Sequence, residues 1–226
     1  MSQENATVNK KEELEDVSYR FIIKKIIKNE IRPGDAILET ELAEMLNISR
    51  TPVRQALGRL VAEGLLEKKR KKGCIIPFPT PEDAQKIFQA REIMETEMAR
   101  QAALNATTSD IDYLKGVLDT ETKALSSYNK EEYWLANEHF HFGIMKATKN
   151  PYLERYGHHI FRRSSIYIFF FDSFYGSRSD SKKPPILKSP VQHAQILEAV
   201  EKKNHDRAAE LMKEHIYYSL QVLTHV

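Results

Sequence analysis

The sequence predicts a mainly α protein in two parts. An N-terminal unit of three helices plus a small β-hairpin precedes a C-terminal antiparallel all-helical bundle. Three observations carry this prediction. Pro77-Phe78-Pro79-Thr80-Pro81 interrupts the chain with alternating prolines that cannot continue a helix and favour a stiff connector. Before it, three amphipathic patterns are followed by two short apolar segments flanking a basic turn. After it, apolar residues recur at helical spacing almost to the end. The expected divisions are a polar, disordered segment over 1–11, a first domain over 12–77, a linker over 78–81 and a helical domain over 82–226.

The elements follow in order. Residues 13–30 place Val17, Phe21, Ile22, Ile26 and Ile27 on one helical face, and Arg32-Pro33-Gly34-Asp35 reads as a turn. Glu39–Leu46 is a short helix burying Leu42, Ala43 and Leu46, and Asn47-Ile48-Ser49 is a tight connection. The next helix runs to about Glu63. Ser49 or Thr51 is its N-cap, and Pro52 sits in its first turn, where the missing N–H is tolerated. Val53, Leu57, Leu60 and Val61 face inward on it. Arg50, Thr51, Arg54, Gln55 and Arg59 lie on the other side. Gly64 ends the helix. Leu65-Leu66-Glu67 and Cys74-Ile75-Ile76 read as strands joined by Lys68–Lys72 and Gly73, whose missing side chain permits a positive φ or a close approach.

The chain of 226 residues carries a net charge of only +2, but the charge is unevenly spread. Residues 50–72 hold eight Lys/Arg against Glu63 and Glu67. Charge alone fits a solvated basic face as well as a polyanion footprint. The order of elements decides between them: a helix pair with arginines on the N-terminal half of its second helix, then a basic hairpin, is a winged helix-turn-helix. Arg50, Thr51, Arg54, Gln55 and Arg59 are the expected contacts of the recognition helix with double-stranded DNA. Lys69, Lys71 and Gly73 are those of the wing. No apolar run approaches the ~18–20 residues that span a bilayer, no secretory signal is visible, and Cys74 is the single cysteine. A cytoplasmic protein without membrane contact is expected.

In the second part, helices are expected over 81–104, 108–127, 130–148, 151–174, 190–203 and 205–224, with a loop over Gly176–Ser189. Asn150-Pro151 and Ser189-Pro190 are N-cap pairs, and Asn204 caps the last helix. Polar residues on apolar stripes are the informative ones. Asn137 and His141 share a face with Tyr133, Phe140, Ile144 and Thr148, one turn apart, so both can reach one ion. His193 lies with Ile196, Leu197 and Val200, His215 with Leu211 and Met212, and Arg91 with Ile87, Met94, Met98 and Ala102. A lone inward histidine is commonly a hydrogen-bonded core residue, and an inward arginine pairs with a carboxylate such as Glu95. Three inward histidines on three helices fit a shared metal equally well. Tyr167-Ile168-Phe169-Phe170-Phe171, with Phe174 and Tyr175, reads as core or dimer interface. His139, His158, His159, His205 and His225 read as surface or packing residues.

The run Ser49-Arg50-Thr51-Pro52-Val53-Arg54-Gln55-Ala56-Leu57, with Pro33-Gly34, Leu38-Glu39, Leu42-Ala43, Glu63-Gly64-Leu65 and Gly73, resembles the GntR family of bacterial winged-helix transcription regulators. The resemblance implies that Arg50, Arg54 and Gly73 contact an operator. It departs at Thr40, where many relatives carry an arginine. The second part resembles the FadR C-terminal domain of the FCD type, whose metal-binding members carry D-x-x-F-H and two later histidines. Here the match is Asn137-Glu138-His139-Phe140-His141, with His193 and His215, 22 residues apart. By resemblance, His141, His193 and His215 ligate a divalent transition metal, zinc or nickel, with Asn137 in the aspartate's place. An amide oxygen is a neutral, weaker ligand. Arg91 matches the family's R-x-x-x-E element and is implied to clamp the carboxylate of a small effector, with Arg163 as a second clamp. The resemblance implies a homodimeric repressor and no catalytic residues. Two alternatives stand beside it. One is a DNA-binding regulator with a purely structural metal and a non-acidic effector or none. The other, more remote, is a metallohydrolase, opposed by the lack of a general base on the ligand stripe.

Overall fold

The structure is a computed structural model and describes residues 2–70, 73–171 and 188–224. The chain divides into two compact units, Met1–Pro79 and Thr80–Val226, with the boundary inside the proline-rich connector.

The first unit consists of α1 (Ser2–Ile27), β1 (Ala36–Ile37), α2 (Glu39–Leu46), α3 (Arg50–Ala62), β2 (Glu67–Lys69) and β3 (Gly73–Ile75). The helix α1 begins at Ser2, within the segment expected to be disordered; residues 2–11 contain no Pro or Gly to stop a helix propagating from the apolar half. Its buried face also differs from expectation. Ser18, Tyr19, Ile22, Ile23, Ile26 and Ile27 are buried, whereas Val17 is half exposed. The α1 helix packs on α3, whose Val53, Ala56, Leu57 and Leu60 are buried, as their spacing predicts for three of the four. Asn47 takes a left-handed conformation (φ 52°) and caps α2, and Ser49 is the extended N-cap residue of α3 without a side-chain hydrogen bond. The sheet has three antiparallel strands in the order β1-β3-β2, so β1 is an addition to the expected hairpin. Gly73 pairs with Lys69 at a φ of 70°, and a Cβ there would lie 2.5 Å from the carbonyl oxygen of Ile37 on the strand beside it.

Among the described residues the second unit has six helices: α4 (Pro81–Asn105), α5 (Thr108–Ser126), α6 (Lys130–Ala147), α7 (Pro151–Phe171), α8 (Ser189–Glu201) and α9 (His205–Thr224). Their starts are written in capping residues. Thr80 accepts from the Asp83 amide, Thr107 and Asp110 form a capping box, and Asn129, Asn150 and Asn204 accept from amides two or three residues on. The α8 helix starts one residue earlier than expected, with Lys188 at the N-cap position and Ser189 already helical. The expected end of α7 at 174, the loop over 176–187, Phe174, Tyr175 and His225 lie outside the described residues. Buried alanines let α4 and α9 approach closely: Ala99, Ala102 and Ala103 on one, Ala208 and Ala209 on the other. Tyr167 and Phe169 are core residues. Among the described residues, no helix is long and apolar enough to cross a membrane.

Candidate functional site

Two places in the chain bring the expected residues together. The first is the N-terminal half of α3. Arg50, Thr51, Arg54 and Gln55 are exposed there, because Pro52, Val53 and Ala56 take the inward positions of the same two turns. Both arginines are held by one carboxylate. Glu39, at the start of α2, accepts from Arg54 Nε at 2.9 Å and Nη2 at 3.3 Å, and also from Arg50 Nη2. Hydrogen bonds from Arg54 and Arg50 bring the Glu39 carboxyl down to about 2. Thr40 borders an open depression between α2 and α3, lined also by Asn47, Ser49 and Arg50.

Arg59 lies apart from that half of the helix. It sits at the C-terminal end of α3, bonded to Asp16 (3.0 Å) and Glu63 (3.1 Å), with its guanidinium over the Tyr19 ring. It ties α3 to α1, and its helix-turn position alone did not reveal those partners. In the wing, Lys69 is exposed and pairs with Glu67 at 2.8 Å, while Lys71 lies outside the described residues.

The second place is the interior of the helical unit. His141 of α6, His193 of α8 and His215 of α9 are all buried, and one nitrogen from each lies within 4.8 Å of the others. Each Nδ1 has its own partner. His141 Nδ1 is 2.5 Å from Glu95 Oε2 on α4, His193 Nδ1 is 2.9 Å from Glu121 Oε2 on α5, and His215 Nδ1 is 3.1 Å from Gln192 Oε1 on α8. A carboxylate can only accept, so Nδ1 of His141 and His193 carries a proton and Nε2 of each is the atom left to offer a lone pair. Phe140 stacks on His193 (ring centroids 4.0 Å apart), and Phe161 lies against His141 (4.7 Å), which fixes both rings.

Nε2 of His193 and Nε2 of His215 are 3.3 Å apart. Two acceptor lone pairs at that distance repel unless a proton or a metal cation lies between them, and a cation would serve all three rings at once. The donor set therefore fits a divalent transition metal, with the Nδ1 contacts as its outer support. Burial brings the His141 imidazole down to about 4 against the opposing pull of Glu95, and places His215 well below the ordinary value. Asn137 lies one turn before His141 on α6 and is half-buried.

Arg91 is buried and donates from Nε to Glu95 Oε1 at 2.6 Å, so Glu95 bridges Arg91 and His141. The Nη groups of Arg91 make no protein hydrogen bond among the described residues. Arg163 is placed elsewhere: its Nη2 bonds Asp83 at 2.7 Å, and Tyr167 donates to the same carboxylate. Its neighbour Arg162 forms a buried pair with Glu138. Sequence reasoning missed Glu121 and Gln192. A signal for Glu121 was present, since it is a lone carboxylate on the stripe of Ile111, Leu114, Val117 and Ala124. For Gln192 there was none beyond its place next to a histidine.

Comparison with known proteins agrees with both halves. Residues 17–76 match the family described as bacterial regulatory proteins, gntR family, and residues 86–218 match the FCD domain. The chain is 28% identical over 238 residues to the Uxu operon regulator of Haemophilus influenzae, covering 94% of this chain and 85% of that one. It is 25% identical to the HTH-type transcriptional repressor GlaR of Escherichia coli, over 91% of this chain and 93% of that one. Among solved structures, E. coli McbR/YncC superimposes with a TM-score of 0.76 at 20% identity, covering 95% and 97% of the two chains. The two relatives are named as an operon regulator and a transcriptional repressor, not as enzymes, which leaves the metallohydrolase alternative without support.

Proposed function

Because the chain belongs to the gntR family of bacterial regulatory proteins, with an FCD domain as its helical unit, and is a DNA-binding transcription regulator, we propose that it is a repressor whose operator affinity responds to a small carboxylate at a metal centre. One observation carries this reading. Three imidazoles from three helices bring ring nitrogens within 4.8 Å of one another, beside a buried arginine whose Nη groups have no protein hydrogen bond among the described residues. His141, His193 and His215 would hold zinc or nickel, with Asn137 as an oxygen ligand. When bound, the ion supplies a Lewis-acidic anchor for a carboxylate oxygen.

Arg91 orients the effector through its Nη groups. Arg163 is committed to Asp83, so the clamp rests on Arg91 alone. On DNA, Arg50, Thr51, Arg54 and Gln55 read the major groove, while Lys69 and the backbone at Gly73 follow the phosphates. A homodimer in the cytoplasm would set two such heads on a palindromic operator. The effector can shift DNA affinity only as far as it binds the two arrangements of the dimer differently.

The pairing of Arg91 with Glu95 favours a second reading, in which the metal is purely structural and no acid binds. A thermal-shift screen of small carboxylates separates the two. It is run on metal-loaded and chelator-stripped protein, with operator binding measured alongside. An acid that stabilises only the loaded form and changes operator affinity supports the effector site. Chelation that lowers the melting temperature, with no acid moving either readout, leaves the structural metal.

A further inference from the structure

Glu121 is fully buried on α5. Its Oε2 accepts from His193 Nδ1 at 2.9 Å, and its Oε1 is buried with no hydrogen-bond partner among the described residues. A carboxylate in that position is costly unless a positive charge is near. Among the described residues, no lysine or arginine bonds it. The guanidinium at the cluster, Arg91, is paired with the other carboxylate there, Glu95. As metal ligands, the three histidines and Asn137 all bring uncharged donors, imidazole nitrogens and an amide oxygen. Once Arg91 and Glu95 offset each other, Glu121 is the one uncompensated charge among the residues bonded to the cluster.

We infer that Glu121 is the charge-compensating and positioning residue of the metal centre. It acts through His193, and it places behind an uncharged ligand set the negative charge that a carboxylate ligand would otherwise bring. Its hydrogen bond holds the His193 ring with Nε2 inward. Its charge offsets the dication through the polarised imidazole, which becomes a stronger donor. This rests on the reading that the histidines hold a divalent metal. It goes beyond that reading by assigning the site's charge to a residue that is not a ligand.

The test is a Zn²⁺ titration of the full chain against a chromogenic chelator, with melting of the metal-free proteins measured in parallel. Glu121→Gln keeps an oxygen acceptor for His193 Nδ1 and removes the charge. It should bind Zn²⁺ about 10- to 100-fold more weakly than the wild type, while the metal-free variant melts no lower. Adding Asn137→Asp to that variant should restore the affinity, because the lost charge returns as a ligand. An unchanged affinity in Glu121→Gln would reduce the role to a hydrogen bond and overturn the inference. So would a weakened variant that Asn137→Asp fails to rescue, or one whose metal-free form melts lower, since either marks a structural residue. A wild type that binds no Zn²⁺ at all brings down the metal reading and this inference together. A wild type that binds, with a variant equal to it, brings down this inference alone.

Discussion

Glutamate meets arginine at both candidate sites, with opposite consequences. At the start of α2, Glu39 holds Arg50 and Arg54 at the surface, where water competes for every donor. In the helical unit, Glu95 holds Arg91 at a distance of 2.6 Å with both side chains excluded from solvent. The surface pair can exchange its partner for a phosphate or a base edge at little loss of stability, because exposed ion pairs contribute little. The buried pair has no solvent to fall back on, so its partners are part of the fold. The same pairing is exchangeable in one unit, as the proposed reading of DNA requires, and a strut in the other.

The sharpest way to break this contrast is a pair of substitutions. Arg91→Ala should destabilise the helical unit by about 3–5 kcal/mol, since it leaves the Glu95 carboxylate buried with only His141. Arg54→Ala should leave the urea midpoint unchanged while weakening specific operator binding roughly 10- to 100-fold. Equal denaturation midpoints for the two variants would erase the distinction. Acid should separate the units next, in chelator-stripped protein. His141 sits at about 4, below its ordinary 6.5, so the unfolded chain takes up the proton first. Its contribution is complete above pH 6.5 and is lost as pH falls toward 4. Glu95 and Glu39, both at about 2, contribute fully above pH 4.5 and lose that contribution toward pH 2. Hydrogen exchange followed by unit should show the helical unit weakening from pH 6.5 downward and the first unit only below 4.5. The first unit's change should be the smaller, because Glu39 is screened by water. Simultaneous weakening from pH 6.5 would contradict the assignment of that window to the buried imidazoles. The smallest effect belongs to Lys69→Ala. It should lower the slope of log affinity against log salt by about one, on any DNA sequence, without changing the melting temperature. A slope equal to the wild type's would take Lys69 off the phosphates.

The parts of the fold visible in the sequence are those determined locally. The turn at Asn47–Ser49, the exposed and buried faces of α3 and the capped starts of α4 to α7 and α9 depend on residues a few positions apart. The strand β1 was hidden because two residues carry no alternation, and only pairing with β3 makes them a strand. The burial of Ser18 and Tyr19 in place of Val17 depends on how α3 lies against α1, which α1 alone does not encode. At the histidine cluster, periodicity identified the three rings one helix at a time. Their Nδ1 partners on α4 and α5 could not be found that way, because nothing in the spacing of α6 or α8 names a carboxylate on another helix. Arg59 and Arg163 show the converse, since the acids they bond, Asp16 on α1 and Asp83 on α4, are not named by the spacing of their own helices.

The contacts that build the cluster join residues 22, 46 and 72 positions apart in the chain. Contacts of such separation carry a large loop-closure entropy and form late, after local helices have condensed. On a growing or refolding chain, the site therefore comes into being only when α9, the last helix, has docked. A chain truncated before His215 would present His141 and His193 without the third donor. Under the proposed function, metal capture would therefore mark a helical unit assembled through α9, and an ion bound there would slow its disassembly from the α9 side.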